Sequence, residues 1–374
     1  MSSNASAETE PDLGLYRVLR DDGTIDPAND PGVPQEIVMR AYREIKRLRV
    51  LDARMMLLQR QGRIGFYGTC TGQEATPIAA ALAIEPSDWV FQALRESSMM
   101  LVRGFPLTRY IAQIFGNSLD VLKGRMQPSH MASRSVNQVS WSSCIGTQLP
   151  HAVGAAMAAR KLGHKTVVLG FMGDGATSEP DFANAMNFAA VFRAPCVLIC
   201  QNNHWAISVP SKTQSASATF AVKGRAYGVP SLRIDGNDLL AVYAGLKKSI
   251  DEARRGEGPR YIECVTYRIG AHSSSDDPTR YRSQEEVDAW IEKDPLSRLR
   301  RHLIKTQGWN DSKEEELEKE LNAEIGEAIT EVEKHGPPPR DTIFDDVFES
   351  LPWHLVEQRA ELQRSPVAKA PGEG

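Results

Sequence analysis

Two apolar runs, starting about thirty residues apart, constrain this chain more than any other feature. The first is Thr166-Val167-Val168-Leu169-Gly170-Phe171 and the second is Cys196-Val197-Leu198-Ile199-Cys200. Each reads as a buried strand. Between them the spacing predicts a helix over Glu179 to Ala190, with Phe182, Met186 and Ala189 on one stripe and Pro180 in its first turn. A strand-helix-strand unit of the parallel type opens both strand ends into one crevice. Gly173-Asp174-Gly175 stands at one end and Asn202-Asn203 at the other. Asp174 offers an anionic oxygen and Asn203 a neutral one, beside a helix N-terminus. That set suits a hard cation holding a phosphate. Gly173 and Gly175 read as letting the backbone turn sharply and approach a ligand. Asp and Gly also favour plain turns, so Gly-Asp-Gly alone would mean little. The paired asparagines tip the balance.

A chain of 374 residues suggests about two domains, or one large domain with appendages. Net charge is −4 and the pI near 6.1, which points away from nucleic acid as a partner. No segment is apolar for long enough to span a bilayer. Met1 to Asp12 is polar and acidic, without the form of a secretory signal. Cys70, Cys144, Cys196, Cys200 and Cys264 are an odd, scattered set, expected to be reduced thiols in a cytoplasmic protein. Cys196 and Cys200 share a strand face and read as small buried hydrophobes.

The expected organisation is an extended N-terminal segment over 1–34, an α/β domain over 35–285, a helical region over 286–360 and a disordered tail over 361–374. The N-terminal segment is rich in Pro, Asp and Gly and is expected along the surface or a partner. Gln35 to Gln61 has helical apolar spacing, and Gly62 to Gly72 is a Gly-rich loop. Helices of small residues are predicted over Glu74 to Leu82 and Gly146 to Leu162, and a short strand at Trp89-Val90-Phe91. Gly124 to Ser143 reads as a long functional or mobile loop, and Ser208 to Thr219 as a flexible connection. A helix follows at Asp238 to Arg255 and a strand at Arg260 to Ile269. Ser312 and Glu315 form a capping-box pattern before a charged helix with Leu317, Leu321, Ile325, Ile329 and Val332 on one stripe, a cover or a subunit contact.

Gly173-Asp174-Gly175 with Asn202-Asn203 resembles a thiamine-diphosphate motif. Three further stretches, Arg60 to Tyr67, Thr147 to Gly154 and Tyr267 to Ser273, are similar to the alpha subunit of the decarboxylating component of 2-oxoacid dehydrogenase complexes. The likeness runs from about Tyr16 to Glu361. Phe66-Tyr67, Ser273-Ser274-Ser275-Asp276-Asp277 and Phe348-Glu349-Ser350-Leu351-Pro352 look most like the branched-chain (2-oxoisovalerate) type. The fold implied is a parallel α/β sheet flanked by helices that binds thiamine diphosphate.

The resemblance implies that Asp174, Asn203 and the backbone carbonyl of Trp205 ligate magnesium. Gly173, Gly175 and Ala176 would border the diphosphate, and Arg95 and Arg268 would neutralise it through planar guanidinium forks. Ser143 and Ile145 would hold the aminopyrimidine side. His272 would sit by the reacting ring and assist proton movement or lipoyl transfer, a task suited to a pKa near neutrality. Ser142, Thr147 and Gln148 resemble a monovalent-cation site, with potassium the candidate. Phe66 and Tyr67 would help line an acyl pocket. Taken singly, these residues also have plain readings: an Arg95–Glu96 ion pair, a structural Arg268, turn and cap roles for Ser142 and Thr147, core aromatics at Phe66 and Tyr67.

Leu94, Gln201 and His204-Trp205 depart from the family pattern, which commonly has Tyr, Arg and a small-or-Phe residue followed by Tyr. Two donors to the diphosphate are thereby missing unless Gln201 or His204 substitutes. The family also takes the carboxylate that activates the cofactor from a partner chain, and only one phosphate-binding motif stands here. The implied assembly is an α₂β₂ heterotetramer with a beta subunit, docked to a dihydrolipoyl acyltransferase core. Its implied reaction is decarboxylation of a branched 2-oxoacid with acyl transfer to lipoamide. A pyruvate- or acetoin-type subunit stays open. A nucleotide-binding protein and a non-catalytic scaffold are further alternatives, although the Gly-x-Gly-x-x-Gly spacing is absent. Ser273 and Ser283 resemble positions phosphorylated in some relatives.

Overall fold

A computed structural model describes residues 13–366. In chain order the strands are β1 (Trp89–Phe91), β2 (Gln138–Val139), β3 (Val168–Gly173), β4 (Cys196–Asn202), β5 (Trp205–Ala206), β6 (Val209–Pro210), β7 (Ser231–Asp235) and β8 (Arg260–Val265). The helices are α1 (Gln35–Arg60), α2 (Ala75–Ala83), α3 (Met99–Val102), α4 (Leu107–Phe115), α5 (Gln148–Lys161), α6 (Pro180–Val191), α7 (Ser211–Gln214), α8 (Val222–Arg225), α9 (Leu239–Arg254), α10 (Gln284–Ile291), α11 (Pro295–Gln307), α12 (Asp311–Val332) and α13 (Trp353–Arg364).

Six strands form one sheet in the order β2-β1-β3-β4-β8-β7, every pair parallel. Central strands with two covered faces need apolar residues at every position. β3 and β4 meet that need. Leu169, Phe171, Val197 and Ile199 pack into a core with α1, α2 and α9. Val168, Met172, Cys196, Leu198 and Cys200 pack on the opposite face with α5 and α6. The two cysteines are fully buried, as small hydrophobes.

The β3–α6–β4 unit matches its expected form, with Pro180 at the start of α6 and Phe182, Met186 and Ala189 buried. Several other expectations change. Residues 13–34 are not merely superficial: Val18 and Leu19 lie in the core, where their N–H groups donate to Asp238 Oδ2 at 2.6 Å each. Met1 to Asp12 lies outside the described residues. The cap of α12 is Asn310, which accepts from the Lys313 N–H at 3.0 Å, not Ser312. The apolar stripe of α12 is buried within the same chain, against α1 and α4. Ser208 to Thr219 holds β6 and α7 and is bonded to the crevice. The strand predicted to Ile269 ends at Val265. Residues 361–364, expected in a tail, belong to α13, and residues 367–374 lie outside the described residues. Helix α4 and strand β7 had no counterpart in the sequence reading.

Candidate functional site

Parallel register brings the motif together. Gly173 on β3 pairs with Gln201 on β4, so Asp174 and Asn203 follow at the same edge of the sheet. A cavity of about 500 Å³ opens there. Asp174 is 1% exposed, and its carboxylate accepts from the Ser211 hydroxyl at 3.1 Å. Burial pushes its pKa up to about 6. Ser211, backbone N–H groups and Arg268 only partly offset that burial, and a bound cation would favour the ionised carboxylate. Among the described residues no cluster of three or more His, Cys, Asp or Glu could hold a metal ion. A hard cation at Asp174 would therefore complete its shell with amide, water and phosphate oxygens, as magnesium commonly does. The residues present fit a magnesium–diphosphate pair.

The glycines act differently from the turn reading. Neither Gly173 nor Gly175 has a positive φ. A Cβ on Gly175 would lie 2.8 Å from Cβ of Ala206, so Gly175 permits the close approach of the segment that carries Asn203 and Trp205.

Of the expected cofactor residues, Arg95, Ser143, Ile145, Gly173, Asp174, Gly175, Ala176, Asn203 and His272 all line the cavity. So do Phe66, Ser142, Gln148 and Trp205. Arg268, Thr147 and Tyr67 do not border it. Arg268 is buried beside it, donating to the carbonyl of Trp205 at 3.1 Å, to that of Ile207 at 2.7 Å and to the Tyr281 hydroxyl. The Trp205 carbonyl, expected on a metal, accepts from that guanidinium through one of its two lone pairs. Tyr67 sits in the core and donates to Asp52 at 2.8 Å. Thr147 donates to the Cys144 carbonyl at 3.0 Å, and Ser142 Oγ accepts from the Cys144 N–H at 3.2 Å. Gln148 spends its amide N–H on the Phe171 carbonyl at 2.7 Å.

Arg95 makes no ion pair with Glu96. It donates to the carbonyls of Thr69 and His272, the second at 2.6 Å. Burial, then Arg268, pulls its pKa down to about 10, so it stays cationic. Glu96 accepts from Gln201 and from the Ala93 N–H at 2.7 Å, and burial raises it to about 7. His272 departs from the near-neutral expectation. Burial, then Arg95 and Arg268, pushes its pKa down to about 4, so the imidazole is neutral at neutral pH. Its Nδ1 lies 3.5 Å from Arg95 Nη2, and its Nε2 has no hydrogen bond among the described residues.

Gln73, Ser211 and Gln214 were not foreseen. Gln73 is fully buried, lines the cavity and accepts from the Asn203 amide at 2.9 Å. Gln214 donates to the Asp174 carbonyl at 3.0 Å. A lone glutamine before a helix and two polar residues in a Ser-rich stretch give no signal in one dimension. A larger groove, about 1040 Å³ between α1 and α12, carries none of the candidate cofactor residues.

A parallel α/β domain with its cavity at the carboxyl edge of the sheet is the class this fold defines. Residues 42–340 match the model of the dehydrogenase E1 component, and the chain belongs to that family. It is 42% identical over 352 residues to 2-oxoisovalerate dehydrogenase subunit alpha 2, mitochondrial, of Arabidopsis thaliana, covering 94% of this chain and 75% of that protein. It is 40% identical over 354 residues to the 2-oxoisovalerate dehydrogenase subunit alpha, mitochondrial, of Bos taurus, covering 94% and 78%. The Dictyostelium discoideum protein of that name is also 40% identical, over 353 residues. Among the described residues no helix is long and apolar enough to cross a membrane.

Proposed function

We propose that this chain is the alpha subunit of a thiamine-diphosphate-dependent 2-oxoacid dehydrogenase acting on branched-chain 2-oxoacids of the 3-methyl-2-oxobutanoate type. The observation that carries it is the buried Asp174 beside Asn203, at a cavity also bordered by Arg95 and His272, in a chain about 40% identical to alpha subunits so named. Asp174 and Asn203 would hold magnesium, and Arg95 would face the diphosphate with Arg268 in support. Ser143 and Ile145 would border the aminopyrimidine, and Phe66 the acyl chain. Ser142 and Gln148, with Thr147 behind them, are the proposed potassium site. Bound here, thiamine diphosphate would supply the carbon nucleophile and electron sink that loss of carbon dioxide requires. The chain's own part is to place that group, keep water out with Trp141, Met172 and Trp205, and offer a proton from the neutral His272, whose Nδ1 faces the donating Arg95 guanidinium so that Nε2 carries the hydrogen.

A beta subunit would provide the activating carboxylate in an α₂β₂ assembly, and a dihydrolipoyl acyltransferase would receive the acyl group. All five cysteines are unpaired, which suits a reducing compartment. The cytoplasm is the proposed location, whereas the relatives' names place those proteins in mitochondria. The test is turnover with thiamine diphosphate and magnesium, for the chain alone and co-purified with its beta subunit. The pair is expected to decarboxylate 3-methyl-2-oxobutanoate in preference to pyruvate, and the chain alone to be inactive. Robust turnover by the isolated chain, or a preference for pyruvate, would overturn the reading.

A further inference from the structure

Among the positions that depart from the family pattern, Leu94, Gln201 and His204 do not restore the missing diphosphate donors. Leu94 has no donor. Gln201 lines the cavity but gives its Nε2 to Glu96. His204 is turned into an aromatic group, with ring centroids 5.1 Å from Trp290 and 6.3 Å from Tyr267. An unspent donor lies elsewhere. Among the described residues that line the cavity, Gln73 Nε2 is the one buried side-chain nitrogen without a hydrogen-bond partner.

The orientation of that amide follows from a fixed donor. The Trp205 N–H lies 3.2 Å from Asn203 Oδ1, and a backbone N–H can only donate, so that atom of Asn203 is oxygen. Asn203 Nδ2 is then the atom 2.9 Å from Gln73, so the Gln73 atom it meets is Oε1. Gln73 Nε2 is left as the free end. Reversing either amide would set two donors or two acceptors against each other. Gln73 is held in place for this. Its backbone N–H donates to the Cys70 carbonyl at 2.9 Å. The preceding Gly72 has a φ of +91° and no room for a Cβ, which would lie 2.5 Å from the Tyr267 carbonyl. A fully buried amide donor left unpaired costs free energy, and an anion in the cavity would recover it.

We propose that Gln73 is a diphosphate-binding and positioning residue: its Oε1 holds Asn203 Nδ2, so that the second lone pair of Asn203 Oδ1 is left to meet the metal, and its Nε2 donates to the anion beside that metal. This rests on the proposed thiamine-diphosphate function. Gln73→Met keeps the length and removes the amide; Gln73→Glu keeps the acceptor and replaces the donor with negative charge. The α/β assembly carrying each variant is titrated calorimetrically with thiamine diphosphate, and separately with inorganic diphosphate, both with magnesium. Ligand-free melting temperatures are taken alongside.

For Gln73→Met, both ligands are expected to bind about tenfold more weakly, since a hydrogen bond to a charged group is lost. Gln73→Glu is expected to bind more weakly still. The ligand-free melting temperature of Gln73→Met should change little, because removing the unpaired donor offsets the acceptor that Asn203 Nδ2 loses. Wild-type affinity in Gln73→Met would overturn the proposal, as would a loss that merely tracks reduced ligand-free stability. If Gln73→Glu fails to fold, Gln73→Met decides alone. A wild-type assembly that binds no thiamine diphosphate would instead overturn the proposed function, so the two failures are distinct.

Discussion

Replacing Gly175 with alanine isolates one physical demand of the site. Gly175 has an ordinary φ, so alanine adds no backbone strain. The added Cβ would stand 2.8 Å from Cβ of Ala206, well inside normal contact. Relieving it needs a displacement of roughly half an ångström or more, at a methyl–methyl contact between two backbone segments. One is Gly173 to Gly175; the other is the turn from Asn203 through Ala206. Neither yields freely: Ala176 is buried in the core beneath α5 and α6, and Trp205 donates to Glu286 at 2.8 Å. Overpacking of this kind costs about 1–3 kcal/mol. Unfolding entropy near ~2.1 cal/mol/K per residue, over 374 residues, turns that into a melting temperature lowered by about 1–4 °C. Binding should suffer more than stability, because the displaced segment carries Asn203 opposite Asp174. Misplacement by about an ångström can cost a hundredfold in function. Calorimetric melting of the ligand-free assembly and magnesium-dependent thiamine-diphosphate titration measure the two effects. Gly175→Ala with wild-type melting and wild-type affinity would refute the close-approach argument and return Gly175 to a plain turn.

Asp174→Ala should abolish magnesium-dependent cofactor binding while leaving the circular dichroism spectrum of the fold intact; retained affinity would contradict Asp174 as a metal ligand. His272 has a folded pKa of about 4, below its ordinary 6.5. Between those values the unfolded state binds the proton and the folded state does not, so its contribution to stability is present above pH 6.5 and lost as pH falls toward 4. His272→Gln should therefore flatten the acid limb of the ligand-free melting profile, and an unchanged limb would refute the lowered pKa. Bound diphosphate should raise that pKa by its negative charge, a shift visible in the imidazole proton resonance on titration.

Strands β3 and β4, the helix between them and the Asp174–Asn203 pairing were legible because they depend on local pattern. Unbroken apolar runs mark doubly covered strands, and a strand-helix-strand unit leaves one edge open whatever surrounds it. The resemblance then named residues beyond that unit, including Arg95, Ser143 and His272. The tertiary structure decided how those residues spend their hydrogen bonds. Arg268 turned to the Trp205 carbonyl, and Tyr67 went to Asp52 in the core. The nominal flexible connection brought Ser211 and Gln214 onto Asp174 and its backbone.

Gln73 shows the division most plainly. In one dimension it is a polar residue before a helix of small side chains. It becomes part of the site because Asn203, 130 positions away, meets its amide at 2.9 Å and leaves its buried nitrogen without a partner in a residue that lines the cavity. Periodicity records which face of an element is dry, and so determines layers and strand ends. Hydrogen-bond partners, pKa displacements and the direction of a buried amide depend on contacts between distant segments. Only the packed chain sets those.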